Sequence, residues 1–284
     1  MLLALGLAFL MVVVGLRLSA AELVAAFRQP RALALGLVVQ MVALPLLALL
    51  LTRVFALPPP LALGLMLVAA APGGVTSNYV ALLAGADLAL STAMTLVTSL
   101  LAPVSLPVVL ALSGTLPDVA SLDLTAAMLR LALGMTLVAA LPLALGMALR
   151  HWQPPWLSRR RGGLERLARL VFAAIVLTTF WQNRDAMIDH LGRLGGAALL
   201  LNLGAVAGGL ALRFFGLSPA QSLAAAIECG LQNAAIAIFV ATTVLGTPAL
   251  AVPALIYAVI MNLTALALVA WGRRRAAATP AVTG

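Results

Sequence analysis

Nine apolar runs constrain this chain more than any other feature of its sequence. Their boundaries, set to within several residues, are 1–16, 32–52, 60–84, 88–113, 122–149, 167–182, 191–214, 218–245 and 248–271. Nearly all reach the ~20 residues with which a helix crosses the ~30 Å hydrocarbon core of a bilayer, and none alternates with the two-residue period of a barrel strand. Charged residues make up 9% of the chain and the mean hydropathy is +1.15. The sequence therefore predicts an all-α, polytopic membrane protein.

The arginines predict how the chain is oriented in the membrane. All 17 basic residues are Arg, and they lie mainly between apolar runs, so the net charge of +9 indicates topology rather than nucleic-acid binding. With the N-terminus outside, 13 of the 17 fall in cytoplasmic loops, and four do not: Arg53, Arg130, Arg184 and Arg193. The positive-inside rule thus predicts an outer N-terminus and a cytoplasmic C-terminus. The expected location of this multi-pass protein is the inner (plasma) membrane.

The eighth run carries a carboxylate at bilayer depth. "LAAAIECGLQNAAIAIFVATTVLG" (223–246) holds Glu228, whereas the other seven acidic residues lie in loops or at segment ends. A carboxylate at that depth costs at least ~2.5 kcal/mol and should face a cavity or a counter-charge. No Arg lies at comparable depth, so a bound cation or a proton is the predicted partner. A protonated glutamic acid, hydrogen-bonded within the bundle, is the alternative.

Other polar residues could join Glu228. Gln232 follows it by four residues and therefore shares its helix face. Ser91 and Thr95 are likewise four apart in the fourth run, a pattern that on its own more often indicates helix packing. With Glu228 and Asn78 available, their hydroxyls are predicted to serve as hard-oxygen ligands for a small cation.

Two of the runs are predicted to contain broken helices. "APGGVTSN" (71–78) places Pro72 and paired glycines mid-membrane, where a break is tolerated only if it is buried in protein or lines a cavity. Aligning 71–85 with 227–241 superposes Ser77-Asn78 on Gln232-Asn233, with glycine before each pair. Broken helices at matching positions in two halves point to the binding site of a transporter, although a simple kink is the alternative at the first position.

These motifs together resemble the bile acid:sodium symporter family. The resemblance covers essentially the whole chain and rests on "QMVALP", "APGGVTSN", "LALSTAMT" and "ECGLQNA". It implies an inverted five-helix repeat lacking its first helix, because the chain begins where the second helix of ten-helix relatives does. The expected units are a first repeat at 1–116, broken at 72–78, and a second at 117–284, broken at 228–233. Two crossing, discontinuous helices would lie in a core at about 32–113 and 191–271, beside a panel at about 1–31 and 117–190.

The resemblance also implies two sodium sites and a substrate site. The first sodium site maps onto Ser77, Asn78, Ser91, Thr95 and Glu228. The second maps onto Gln40, Glu228, Gln232 and the backbone carbonyls of Cys229 and Leu231. Thr76, Asn233 and Asn262 would lie beside the substrate. Val75 and Met261 depart from some relatives near this cavity, which puts the choice of substrate in question.

The sequence thus predicts a sodium-coupled secondary transporter, not an enzyme, that imports an organic anion such as a bile acid or other carboxylate by alternating access. Its expected partners are two sodium ions, the organic anion and the lipid bilayer, with no nucleic acid and no obligate protein partner. One alternative is a proton-coupled or uniport carrier in which Glu228 titrates. Another is an arsenite-type efflux protein, in which Cys229 would be functional.

Overall fold

The computed structural model describes residues 2–16, 24, 28–112, 124–152 and 155–278. These residues are almost entirely helical and contain no β-strand, so the all-α prediction is confirmed. In chain order the helices are α1 (Leu2–Gly15), α2 (Pro30–Val54), α3 (Pro59–Ala70), α4 (Val75–Ala84), α5 (Leu88–Leu112), α6 (124–152), α7 (Pro155–Ala211), α8 (Pro219–Gly230), α9 (Ala234–Phe239) and α10 (Val252–Ala278). Helices α2 and α6 each contain one π turn, and another, Val240–Val244, continues α9.

Two apolar runs of the sequence are each split into two helices. The run at 60–84 forms α3 and α4, separated by residues 71–74, and the run at 218–245 forms α8 and α9, separated by residues 231–233. The first break follows from Pro72, because the residue before a proline is pushed out of the helical region. Ala71 accordingly ends α3 in an extended conformation, with φ −64° and ψ 149°.

The prediction of two separate helices at 167–182 and 191–214 is wrong. The first run and all but the last three residues of the second lie in α7, a single helix of 57 residues. The polar stretch between them, "NRDAMIDH" (183–190), contains neither proline nor glycine, so its polarity does not interrupt the helix. A straight helix of this length would be ~85 Å long, against ~30 Å of hydrocarbon, so only part of α7 can cross a membrane at a time.

Five helical stretches are long and apolar enough to cross a membrane, among the residues described. They are Pro30–Val54, Leu88–Ala111, Leu129–Trp152, Leu177–Phe215 and Pro248–Arg274. The number is smaller than nine because α1 and the halves of the broken helices are short, and because two runs merge in α7. The chain is a multi-pass membrane protein. The predicted repeat boundary at 116/117 lies outside the described residues.

Helix α8 lies at the centre of the helical packing. It contacts α4, α5, α7 and α10, and every residue from Ser222 to Gly230 is buried. Gly209 of α7 allows the closest approach, because a side chain there would overlap the backbone of Ala226. Glu228 therefore faces protein on all sides and does not point toward lipid.

Candidate functional site

The two breaks cross and hydrogen-bond to each other. The amide of Gly74 donates to the carbonyl of Leu231 at 3.1 Å, and the amide of Asn233 donates to the carbonyl of Pro72 at 3.0 Å. Gly73 and Gln232 form an antiparallel bridge between these contacts. Two of the polar backbone groups at each break are thus paired with the other break, which satisfies part of the hydrogen bonding that buried backbone requires.

The carboxylate of Glu228 lies beside this crossing and accepts three hydroxyl hydrogen bonds. Ser77 of α4 and Ser91 of α5 donate to Oε1 at 2.6 and 2.5 Å, and Thr95 donates to Oε2 at 2.9 Å. The Glu228 side chain is fully buried, and none of these partners carries a positive charge. Hydroxyls alone therefore surround a group whose ionised form requires a cation nearby.

The same cluster contains more acceptor oxygens than protons. Ser91 and Thr95 also approach Oδ1 of Asn78, at 2.8 and 3.4 Å, and Ser77 also donates to the carbonyl of Gly74. Each hydroxyl has a single proton, so it can satisfy only one of its two acceptors at a time. A surplus of oxygen lone pairs in a buried site is the donor set that a hard cation prefers.

Two buried glutamines near the crossing have unpaired amide atoms. Gln40 lies in the π turn of α2, Val39–Ala43, a type of distortion that is frequent at functional sites. It is 2% exposed and neither of its amide atoms has a partner. Gln232 donates to the carbonyl of Cys229 at 2.8 Å, but its Oε1 is also unpaired. Gln40 and Glu228 both border the space that a side chain at Gly73 would occupy.

The unpaired amide atoms of Gln40 and Gln232 bear on whether the second predicted sodium site suits a cation. A buried polar atom without a partner costs about 1–3 kcal/mol, so three of them on two glutamines, one of which borders the same space as Glu228, require an explanation. Two of the three are amide oxygens, and the assignment of amide N and O can be exchanged by a flip of the Gln40 side chain. The residues therefore fit an oxygen-coordinated cation beside Glu228.

A cavity of about 430 Å³ adjoins the crossing and is lined by α1, α4, α7, α9 and α10. Thr76 and Asn233 line it, and Asn233 also caps α9 by accepting from the amide of Ile236 at 3.2 Å. Asn262 does not line this cavity: it is exposed on α10 and donates to the carbonyl of Ala258 at 2.6 Å. Its neighbour Met261 does line it.

Sequence reasoning missed several polar residues around the site. Glu165 was expected in a loop, but it lies in α7 and lines the cavity. Thr98 of α5 accepts a hydrogen bond from the amide of Gly73 at 3.2 Å. Asn202 and Tyr257 both donate to the carbonyl of Gly230 at 2.9 Å. The signal for Asn202 was available, because it is an amide inside an apolar run, as Gln40 is.

A multi-pass helical protein in which two broken helices cross beside a buried cluster of side-chain oxygens has the architecture typical of secondary transporters. The profile of the Sodium Bile acid symporter family matches residues 4–190, and the chain belongs to this family. The matched range includes the first break and the hydroxyl cluster, whereas Glu228 and the second break lie beyond it.

Two relatives are similar to this chain over most of its length. The "Probable sodium/metabolite cotransporter BASS1, chloroplastic" of Arabidopsis thaliana is 29% identical over 212 residues, which are 74% of this chain and 51% of the relative. The "Uncharacterized sodium-dependent transporter YocS" of Bacillus subtilis (strain 168) is 28% identical over 202 residues, which are 70% of this chain and 60% of the relative. The chain thus spans about half to three-fifths of the length of these relatives.

Proposed function

We propose that this protein is a sodium-coupled secondary transporter that imports an organic anion, such as a bile acid or another carboxylate, by alternating access. The observation that carries the proposal is the fully buried Glu228 carboxylate, surrounded by hydroxyls and unpaired amides, without a positively charged partner among the described residues. The printed names of both relatives mention sodium, which supports sodium as the coupling ion.

Two sodium ions would share Glu228. The first would be held by the cluster of Ser77, Asn78, Ser91, Thr95 and Glu228. The second would be held by Gln40, Glu228, Gln232 and the carbonyls of Cys229 and Leu231. Because one carboxylate would offset part of two positive charges, each ion would alter the affinity of the other site.

The domain organisation expected from the sequence remains part of the proposal. The antiparallel bridge between the breaks supports two repeats in inverted orientation, at 1–116 and 117–284, although two of the five helices expected in the second repeat are merged in α7. The core (32–113 and 191–271) and panel (1–31 and 117–190) would then be joined through α7, since their boundary at 190/191 lies inside that helix. Movement of the core against the panel would therefore require α7 to bend.

The proposed orientation of the chain implies which side of the membrane the cavity faces. With the N-terminus outside, the arginines around Glu165 are cytoplasmic, so the end of the cavity lined by Glu165 faces the cytoplasm. The structure would then be an inward-facing state in the plasma membrane. An anionic substrate would place its charged group near Thr76, in the first turn of α4, where backbone amides favour negative charge, and away from Glu165.

Uptake by reconstituted protein tests the proposal. Proteoliposomes are loaded without sodium, and a radiolabelled bile acid and a panel of smaller carboxylates are supplied outside in sodium chloride or choline chloride. We expect uptake of at least one of these anions in sodium that falls to the level of empty liposomes in choline. Undiminished uptake in choline that follows a pH gradient would support the proton-coupled alternative instead.

The arsenite-type alternative gains no support from the position of its one thiol. Cys229 is fully buried, its sulfur lies 4.0 Å from the carbonyl of Gly36, and it does not line the 430 Å³ cavity. If cells that express Cys229→Ala lost the metalloid resistance that the wild type provides, efflux of arsenite would be favoured over import of an organic anion. This result distinguishes the two functions.

Replacing Gln40 by Leu should stabilise the sodium-free protein and weaken its response to sodium. The change removes two unpaired buried polar atoms, and such a removal at constant shape is neutral or stabilising. We expect the Tm in choline chloride to stay equal or to rise by about 2–4 °C, while the rise produced by sodium becomes smaller. Thermal-shift titration of sodium at constant ionic strength measures both quantities.

The matched control is Gln182→Leu, which makes the same exchange at an exposed position of α7. It should leave the response to sodium unchanged. If Gln40→Leu and wild type were stabilised equally at every sodium concentration, Gln40 would not be a ligand.

A further inference from the structure

A buried hydrogen-bond network joins α7, α8 and α10 at the end of α8. Asn202 of α7 and Tyr257 of α10 both donate to the carbonyl of Gly230 at 2.9 Å, and the Asn202 amide lies 3.3 Å from the Tyr257 hydroxyl. Thr264, two turns after Tyr257, donates to Oδ1 of Asn202 at 2.6 Å. Asn202 and Tyr257 are fully buried. Every atom of this network has a partner, which is the condition under which buried polar groups rigidify a structure.

The network distinguishes the carbonyl of Gly230 from those of its two neighbours. A carbonyl oxygen has two lone pairs, and at Gly230 both are taken, by Asn202 and by Tyr257. Cys229 accepts from Gln232 alone, and Leu231 accepts from Gly74 alone, among the described contacts. Gly230 thus has no lone pair left for an ion, whereas each of its neighbours retains one.

We infer that Asn202, Tyr257 and Thr264 are positioning residues that hold the Gly230 carbonyl and thereby aim the carbonyls of Cys229 and Leu231 at the second cation. This inference rests on the proposed sodium coupling and goes beyond it, because it explains which carbonyls of the break can be ligands. It also implies that the break is pre-organised: the carbonyls are set by protein contacts before an ion arrives, which lowers the cost of binding.

None of these three side chains is among the proposed sodium ligands, so removal of the network should change sodium affinity through geometry. Tyr257→Phe keeps the ring and deletes one of the two donors to Gly230. The Gly230 carbonyl is then held by Asn202 alone, so its peptide group can rotate. The carbonyls of Cys229 and Leu231 thereby lose their fixed direction. We expect the half-saturating sodium concentration to rise about fivefold, as follows from the loss of one neutral hydrogen bond.

Sodium titration of purified wild type and variants by thermal shift, with choline chloride to hold ionic strength, tests the inference without a substrate. Thr264→Val should raise the half-saturating sodium about two- to threefold by freeing the Asn202 side chain, and Thr264→Ser, which keeps the hydroxyl, should restore the wild-type value. The control is Thr242→Val, whose hydroxyl donates at 2.8 Å to the carbonyl of Ile238 in its own helix; it should leave the midpoint unchanged.

The outcomes separate a positioning role from a purely structural one. A lower Tm in choline with an unchanged sodium midpoint in both Tyr257→Phe and Thr264→Val would overturn the inference while leaving sodium coupling intact. If Tyr257→Phe did not fold, the Thr264→Val and Thr264→Ser pair would decide alone. A wild type whose stability and uptake ignore sodium would overturn this inference and the proposed function together.

Discussion

Exchanging Glu228 for Gln should abolish sodium-dependent uptake. The amide has the shape of the carboxylate and can still accept from Ser77, Ser91 or Thr95, so the protein is expected to fold. It cannot offset the charge of a cation, and removal of one partner from a buried charge pair costs about 2–5 kcal/mol. We therefore expect the half-saturating sodium concentration to rise about 100-fold or more.

The variant is best measured in two ways. Thermal-shift titration reports sodium binding by the purified protein, and proteoliposomes report sodium-driven accumulation of the bile acid or carboxylate that the wild type transports. In choline chloride the variant should melt at the wild-type temperature or above it, because it no longer buries an uncompensated charge. A variant that fails only in uptake, and still binds sodium as the wild type does, would contradict the assignment of Glu228.

Asp87→Asn provides the matched control for this exchange. Asp87 precedes α5 and accepts a hydrogen bond from the amide of Leu90 at 3.0 Å, a capping role that Asn performs equally well. The control thus also converts an acid into an amide in a neighbouring part of the same protein, outside the buried cluster. Its sodium response should match that of the wild type.

The parts of the site that could be predicted from the sequence are the residues that are unusual in a lipid-spanning helix. A carboxylate at Glu228 and a Pro-Gly-Gly sequence at 72–74 are costly in hydrocarbon, so each required a special environment. The structure supplies one: both lie at a crossing of two breaks, deep inside the bundle. The free-energy cost of such residues in hydrocarbon can be inferred from a single sequence, because it does not depend on which other helix lies nearby.

Which residues far apart in the sequence contact each other could not be derived from local features of this kind. Ser77 reaches Glu228 across 151 positions of sequence, and only the family resemblance linked these two residues. The network of Asn202, Tyr257 and Thr264 was missed for this reason. Each of these side chains alone looks like ordinary helix packing, and its role depends on a carbonyl of another helix.

The single long helix α7 shows a different limit of sequence reasoning. A polar stretch between two apolar runs was interpreted as a loop, since loops between membrane helices are polar. Polarity, however, reports the solvent around a segment and not its backbone conformation, and residues 183–190 contain only residues that a helix accepts. Glu165 was likewise expected in a loop or at a segment end, but it lies in the same helix and lines the cavity.

A methyl group added at Gly73 should impair both cation sites at once. A Cβ atom there would overlap Oε2 of Glu228 and would lie 3.5 Å from both Nε2 of Gln40 and Oγ1 of Thr95. The end of the Glu228 side chain must therefore move, and it would leave the hydroxyl cluster and the glutamines together. Overpacking of this kind costs about 1–3 kcal/mol, so we expect Gly73→Ala to raise the half-saturating sodium about 10- to 100-fold.

The adjacent glycine turns this expectation into a sharp comparison. A Cβ atom at Gly74 would meet its nearest neighbours, the carbonyl of Leu231 and the hydroxyl of Thr76, at 3.4 Å, which is ordinary contact. Gly74 lines the 430 Å³ cavity, so Gly74→Ala should alter the KM for the organic anion and leave the sodium midpoint within about twofold of wild type. Both variants replace a glycine by alanine, at adjacent positions of the same helix break. If they shifted sodium affinity equally, the effect would come from stiffening the break, and Glu228 would not be the group that the methyl displaces.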